Sequence, residues 1–247
     1  MNGGRLARIA RNLALFAVGC ATFLQAQASV VIAGTRVIYN AKEREVTVRL
    51  SNEGQLPALT QVWLDKGDAS ASPASISVPF TVTPPVARVD PGKGQTLRIF
   101  HTGEPLPQDR ESVFWLNVLE VPPAAKDQPE ANKLQLAFRT RIKLFYRPAG
   151  LPGSAQEAPA RIEWRLVRKG AEASLEARNP TAYFVSLASL EVTGAGKSAK
   201  FEQGGMVAPG ETREFPLTGE VPTASLRLHY QAINDFGGPI TGDSPLH

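Results

Sequence analysis

The chain has 247 residues, enough for one large domain or two ordinary ones. Its formal net charge of +4 comes largely from Arg5, Arg8 and Arg11, which meet no acidic side chain before residue 29, so the remainder is near neutral. It offers no massed basic surface for nucleic acid. Cys20 is the only cysteine and lies before residue 29, so the chain from there on could form neither a disulfide nor a thiolate metal site.

In chain order, the first element is an export signal. The basic stretch precedes an apolar run from Leu13 to Leu24, well short of the roughly 20 residues that span a bilayer, and Ala26-Gln27-Ala28 supplies a small-x-small cleavage pattern. Residues 1–28 are therefore expected to be removed, leaving Ser29 as the mature start. Lipid attachment at Cys20 is the minor alternative, since Ala17-Val18-Gly19 lacks the usual leucine.

Short alternating segments follow: Glu45 to Leu50, Ala58 to Leu64, Thr96 to Phe100, Val113 to Val121 and Lys133 to Tyr146. Turn clusters separate them, and no helical period appears, which is the spacing of an antiparallel sandwich. Periodicity is lost from Ala149 to Ala160, read as an interdomain linker. It resumes in Arg161 to Leu166, Ala173 to Ala177, Tyr183 to Val192, Glu211 to Leu217 and Ser225 to Ile233. The expected organisation is an all-β chain with domains at 29–148 and 161–247, joined by a linker at 149–160.

Catalytic constellations are scarce. His101, His229 and His247 lack metal-ligand spacing, and neither G-x-S-x-G nor H-E-x-x-H occurs. Gly194-Ala195-Gly196-Lys197-Ser198 ends like a phosphate-binding loop, but Glu191 stands where the first glycine belongs, so a hairpin turn is expected instead.

Several motifs, in order, carry a resemblance: Thr35 to Tyr39, Pro84 to Gly92, Gln108 to Ser112, Phe114 to Pro123, Lys133 to Pro148, and Ile233 to Gly238. Together they resemble the PapD-like periplasmic chaperones of the chaperone/usher pathway. The resemblance implies two immunoglobulin-like β-sandwich domains set at an angle, with a cleft between them. It implies a non-enzymatic chaperone that caps pilus (fimbrial) subunits by lending them a β-strand and passes them to an outer-membrane usher. Its partners would be proteins, with no cofactor, metal, nucleic acid or small-molecule substrate, and self-association of the free chaperone is left open.

By the same resemblance, Leu134, Leu136 and Phe138 are donor-strand residues that fill the subunit's groove. Alternation alone would place them in the domain's own core. Arg36 and Lys143 match the two cations that hold the subunit's terminal carboxylate, although Lys143 has the opposite parity from Phe138 and should face away from the donor side. Glu111, Arg147 and Asp235 match an interdomain ion-pair network. The stretch from Ala124 to Asn132 looks like the short-loop class associated with pilus rods. The last strand is expected to be abbreviated, and the cysteine pair that some members carry there is missing. The competing reading is an exported immunoglobulin-like adhesion or scaffold module; a secreted hydrolase is the third.

Overall fold

The computed structural model describes residues 29–121, 123, 136–170 and 172–246. The expected signal segment, Cys20, the segment from Ala124 to Asn132, Leu134 and His247 lie outside them. Strands dominate the first half: β1 Val30–Ile32, β2 Arg36–Asn40, β3 Val46–Asn52, β4 Ala58–Asp65, β5 Phe80–Thr83, β6 Val86–Val89, β7 Gly94–His101, β8 Ser112–Val121 and β9 Phe138–Arg147. The second half continues with β10 Glu163–Lys169, β11 Glu172–Arg178, β12 Val185–Gly194, β13 Lys197–Phe201, β14 Gly205–Val207, β15 Thr212–Pro216, β16 Thr218–Gly219, β17 Arg227–Ile233 and β18 Pro239–Pro245.

The first half is a sandwich of two sheets, ordered β1-β3-β7-β5 and β2-β9-β8-β4-β6. Alternation dictates its interior: Val48 and Leu50, Leu97 and Ile99, Leu116 and Val118, and Ile142 and Leu144 turn inward from four strands into one cluster. Tyr39 is fully buried there, and its hydroxyl is satisfied by the Glu43 and Arg44 carbonyls and the His101 amide. The second half pairs β10-β11-β15 with β16-β13-β12-β17-β18, and β14 joins β12. Leu175 and Phe215 from one sheet meet Leu187, Leu190, Leu228 and Ala232 from the other. These are the two immunoglobulin-like sandwiches that the sequence led one to expect.

Three details differ from a plain reading of periodicity. Short strands such as β6 and β13 bury one or two residues each, so they leave little alternation to detect. Residues 149–160 are no loose spacer: Leu151, Ala155 and Ala158 pack on the second core, and the Tyr183 hydroxyl donates to the Gly153 carbonyl at 3.0 Å. Periodicity vanishes there because the packing is made by a 3₁₀ turn at Ala158–Arg161. The last strand is also not abbreviated, since β18 pairs along the whole of β17, from Ile233 opposite Pro239 to Arg227 opposite Pro245. Its Pro, Gly and Thr content hid it. The hairpin expected at Gly194 joins β12 to β13, with Ala195 (φ 46°) and Gly196 (φ 76°) in the left-handed region that a two-residue turn needs.

Candidate functional site

The geometry of interest centres on β9. Ile142, Leu144 and Tyr146 face the first core, whereas Phe145 and Arg147 face the second half of the chain. Leu136 and Phe138 share the parity of the core residues but lie outside the core cluster. Leu136 is 48% exposed and Phe138 is half-buried. The apolar face therefore lines this domain's core in the carboxyl-terminal half of the strand and continues beyond it at the start. Both residues border a groove of about 570 Å3, together with Ser29, Leu56, Pro57 and Glu120.

One edge of β9 is also distinctive. Antiparallel β8 pairs it from Phe138 to Tyr146, while parallel β2 covers the other edge only from Lys143 to Arg147. Among the described residues, no strand pairs that second edge from Phe138 to Ile142.

Arg36 and Lys143 are register partners where β2 takes over this edge. Parity sends Lys143 away from the face of Leu136 and Phe138, as expected, and toward the second half of the chain. Its Nζ lies 3.4 Å from the Ser186 hydroxyl. The Arg36 guanidinium donates to the Ile233 carbonyl at 3.0 Å and lies over the Phe145 ring. Its buried Nε has no hydrogen-bond partner among the described residues. Burial, then the Arg36 charge and then the Arg213 charge, push the Lys143 ammonium down to about 8. Burial likewise lowers Arg36, against the attraction of Asp235. Neither cation has an ion-pair partner among the described residues.

The adjacent cation is fully matched. Arg147 donates from Nε to Glu111 at 2.6 Å and from both terminal nitrogens to Asp235 at 2.7 and 2.9 Å, while lying over the Tyr183 ring. The carboxylates outweigh burial and raise its pKa. Glu111 is only 3% exposed. Its other carboxylate oxygen accepts the Phe184 amide at 2.8 Å, and its own amide donates to the Ala182 carbonyl at 2.9 Å. Burial pushes its carboxyl up despite Arg147. The three charges expected to meet between the domains are thus in contact, and Glu111 grips residues 182–184 of the second sandwich through backbone as well as side chain. Thr35 adds steric fit, since its Oγ1 would sit 2.5 Å from a Cβ at Gly237.

Sequence reasoning missed a second cluster on the same face of β9. Asp65 is 1% exposed and binds the Arg141 guanidinium, the Asn117 amide at 2.8 Å and the Gly67 amide at 2.6 Å. Burial raises this carboxyl, but those hydrogen bonds prevail and hold it below its ordinary value. Arg139 donates to Asn117, and Arg139 and Arg141 lie over Trp63 and Trp115 at 4.9 and 4.8 Å. The alternation Arg139, Arg141, Lys143 was the available signal; the partners on β4 and β8 were not.

Residues 29–152 match the family described as "Pili and flagellar-assembly chaperone, PapD N-terminal domain". Residues 157–244 match "Pili assembly chaperone PapD, C-terminal domain". The chain is 48% identical over 238 residues to the probable fimbrial chaperone YadV of Escherichia coli strain K12, spanning 94% of this chain and 96% of the relative. The crystal structure of the YadV chaperone superposes with a TM-score of 0.76 at 46% identity, over 88% of this chain and 99% of that one. Identity to the chaperone protein FimB/FhaD of Bordetella pertussis strain Tohama I is 50% over 241 residues, again 94% and 96% of the two chains. A Salmonella enterica structure described as SafA pilin in complex with the SafB chaperone matches with a TM-score of 0.74 at 28% identity, over 89% and 97%.

Two stability measurements follow from these charges. Glu111→Ala leaves Arg147 half-paired and two contacts with residues 182–184 weakened, so urea unfolding should show a loss of about 3–5 kcal/mol; a loss below about 1 kcal/mol would class the pair with ordinary surface bridges. Lys143→Met should act the other way at pH 7. The folded pKa of Lys143 lies below its ordinary value, so the unfolded chain holds the proton more tightly, and stability from this group rises as pH climbs from about 8 toward the unfolded value. Removing the charge should raise the unfolding midpoint at neutral pH, and an unchanged or lowered midpoint would mean that Lys143 is already comfortably solvated.

Proposed function

The chain belongs to the PapD-type family of pilus-assembly chaperones, and we propose that it holds pilus subunits in the periplasm by lending each one a β-strand before delivery to an outer-membrane usher. The family is one of chaperones, not enzymes. The observation that carries the strand-lending reading is the conjunction of an uncovered edge of β9 at Phe138–Ile142, the apolar side chains of Leu136 and Phe138 at its start, and at its end Lys143 and its β2 register partner Arg36, neither of them ion-paired among the described residues.

Physical chemistry gives this conjunction a direction. An incoming strand on the open edge would run until β2 blocks it, beside Arg36 and Lys143. If that strand ends there, its terminal carboxylate meets both cations, so it must run the same way as β9 and pair in parallel. This is β-strand addition, of which the completion of pilins by a donor strand is a known form. Leu136 and Phe138 would each bury about 1.5–3 kcal/mol of transfer free energy in the subunit, offset in part by ordering costs. Leu134, the third residue that the family resemblance assigns to the donor strand, lies outside the described residues. The carboxylate would accept charge-assisted hydrogen bonds from groups now held at a cost. SafB, a relative solved with a pilin, supports a pilus subunit as the partner.

A subunit with an amidated carboxyl terminus tests the anchor. Amidation or Arg36→Ala alone should each weaken capture by about 2–5 kcal/mol, and the two together should cost little more than one, because both remove the same contact. Full additivity would take Arg36 out of the anchor. Capture should also weaken as pH rises through about 8, since the bound carboxylate needs a protonated Lys143. Leu136→Asp should leave the chaperone folded but unable to protect a subunit from proteolysis; collapse of the fold would return Leu136 to this domain's own core.

A further inference from the structure

Glu120 is the one buried carboxylate of the first sandwich whose described partners are all neutral. It is 7% exposed, near the end of β8, opposite Thr60 and Phe138. One oxygen accepts the Val30 amide at 3.0 Å; the other accepts the Ser29 amide at 3.2 Å and the Ser29 hydroxyl. No lysine, arginine or histidine pairs with it among the described residues. Asp65 and Glu111, by contrast, both hold arginines. A buried carboxylate that accepts hydrogen bonds from neutral donors alone gains further when one of those donors becomes a cation, because charge-assisted hydrogen bonds are the stronger kind.

Position 29 is also a fixed point. The Ser29 carbonyl accepts the Glu53 amide at 2.8 Å, and a Cβ at Gly54 would fall 2.5 Å from the Ser29 Cβ. Val30 beside it belongs to the core. The chain is thus clamped at the residue where the sequence puts the cleavage site.

We propose that Glu120 is the receptor for the new amino terminus: cleavage after Ala28 frees a Ser29 α-ammonium that forms a buried ion pair with Glu120 and locks β1 to β8 in the processed chain. The step is hydrolysis of the Ala28–Ser29 amide by water on a leader peptidase. The water oxygen goes to the Ala28 carbonyl carbon, leaving a carboxylate. The Ser29 nitrogen keeps the bonding pair and is protonated, as an α-amine ordinarily is below about pH 8. A neutral amide with one N–H becomes a cation with three. This reading goes beyond subunit capture and stands without it.

The test compares three forms of the purified protein: one starting at Ser29, the same chain Nα-acetylated, and one retaining Ala26-Gln27-Ala28. The free Ser29 form should be harder to unfold by on the order of tenfold in the unfolding constant, the scale of one charge-assisted hydrogen bond. Its Tm should be higher by roughly 2–4 °C for a chain of this size. In Glu120→Gln, all three forms should unfold alike. Equal stability of the three forms with Glu120 present, or an undiminished difference in Glu120→Gln, overturns the proposal. If Glu120→Gln does not fold, the acetylated against the free form decides alone. An intact mass of periplasmic material that starts anywhere but Ser29 overturns it as well.

Discussion

The period-two alternation of β9 is the constraint on which the rest of the molecule depends. One strand must present Ile142, Leu144 and Tyr146 to its own core while Phe145 and Arg147 meet the second sandwich. A shift of one residue would exchange the two sets and bury charge in the core. The same alternation places Leu136 and Phe138 in line with the core residues, and Arg139 and Arg141 in line with Lys143. The apolar side chains at the start of this stretch and its basic side chains therefore sit on opposite faces, ordered by nothing more than residue parity.

Electrostatics divides the crevice between the sandwiches into a closed part and an open part. Arg147 spends its whole hydrogen-bonding fork on Glu111 and Asp235, and Glu111 adds backbone contacts to residues 182–184. That joint is matched in charge and buried at Glu111, and it ties the second sandwich to the first. Four residues back along the strand, Lys143 faces Arg36, neither has an ion-pair partner among the described residues, and burial depresses both, with only the attraction of Asp235 opposing it at Arg36. The first arrangement is what rigid attachment requires. The second is what the proposed carboxylate anchor would require, since unfavourable electrostatics between two buried cations would become binding energy when an anion pairs with them.

Much of this was legible in the sequence, for identifiable reasons. Long strands with strict alternation, such as β4, β8 and β9, announce themselves, and Arg36, Lys143, Glu111, Arg147 and Asp235 stood in motifs that are specific together and in order, though none would be alone. Alternation alone would have put Leu136 in this domain's own core, because periodicity cannot say where along a strand the opposite sheet stops covering it. β18 was underestimated because pairing to β17 is made by backbone groups that Pro239, Gly242 and Thr241 do not advertise. Asp65 and Glu120 were invisible for another reason. Their partners come from residues 76 and 91 positions away in the chain, and no local pattern marks a carboxylate that a distant strand will bury.

An open strand edge beside exposed apolar side chains invites pairing with any extended chain. The arrangement around Phe138–Ile142 restricts what can profit from it. Among the described residues of β9, the open edge runs from Phe138 to Ile142, where β2 closes it. On the outer face, Arg139 and Arg141 are held down by Asn117, Asp65 and the two tryptophans, so the strand is ordered before a partner arrives and less entropy is lost on docking. At the closed end, a strand that merely passes through would press neutral backbone onto Arg36 and Lys143 and desolvate two cations without compensation. A strand that terminates there brings the missing charge. Under the strand-lending reading, discrimination between a subunit's last strand and any other extended segment rests on that penalty as much as on the attraction, because specificity is a difference between affinities.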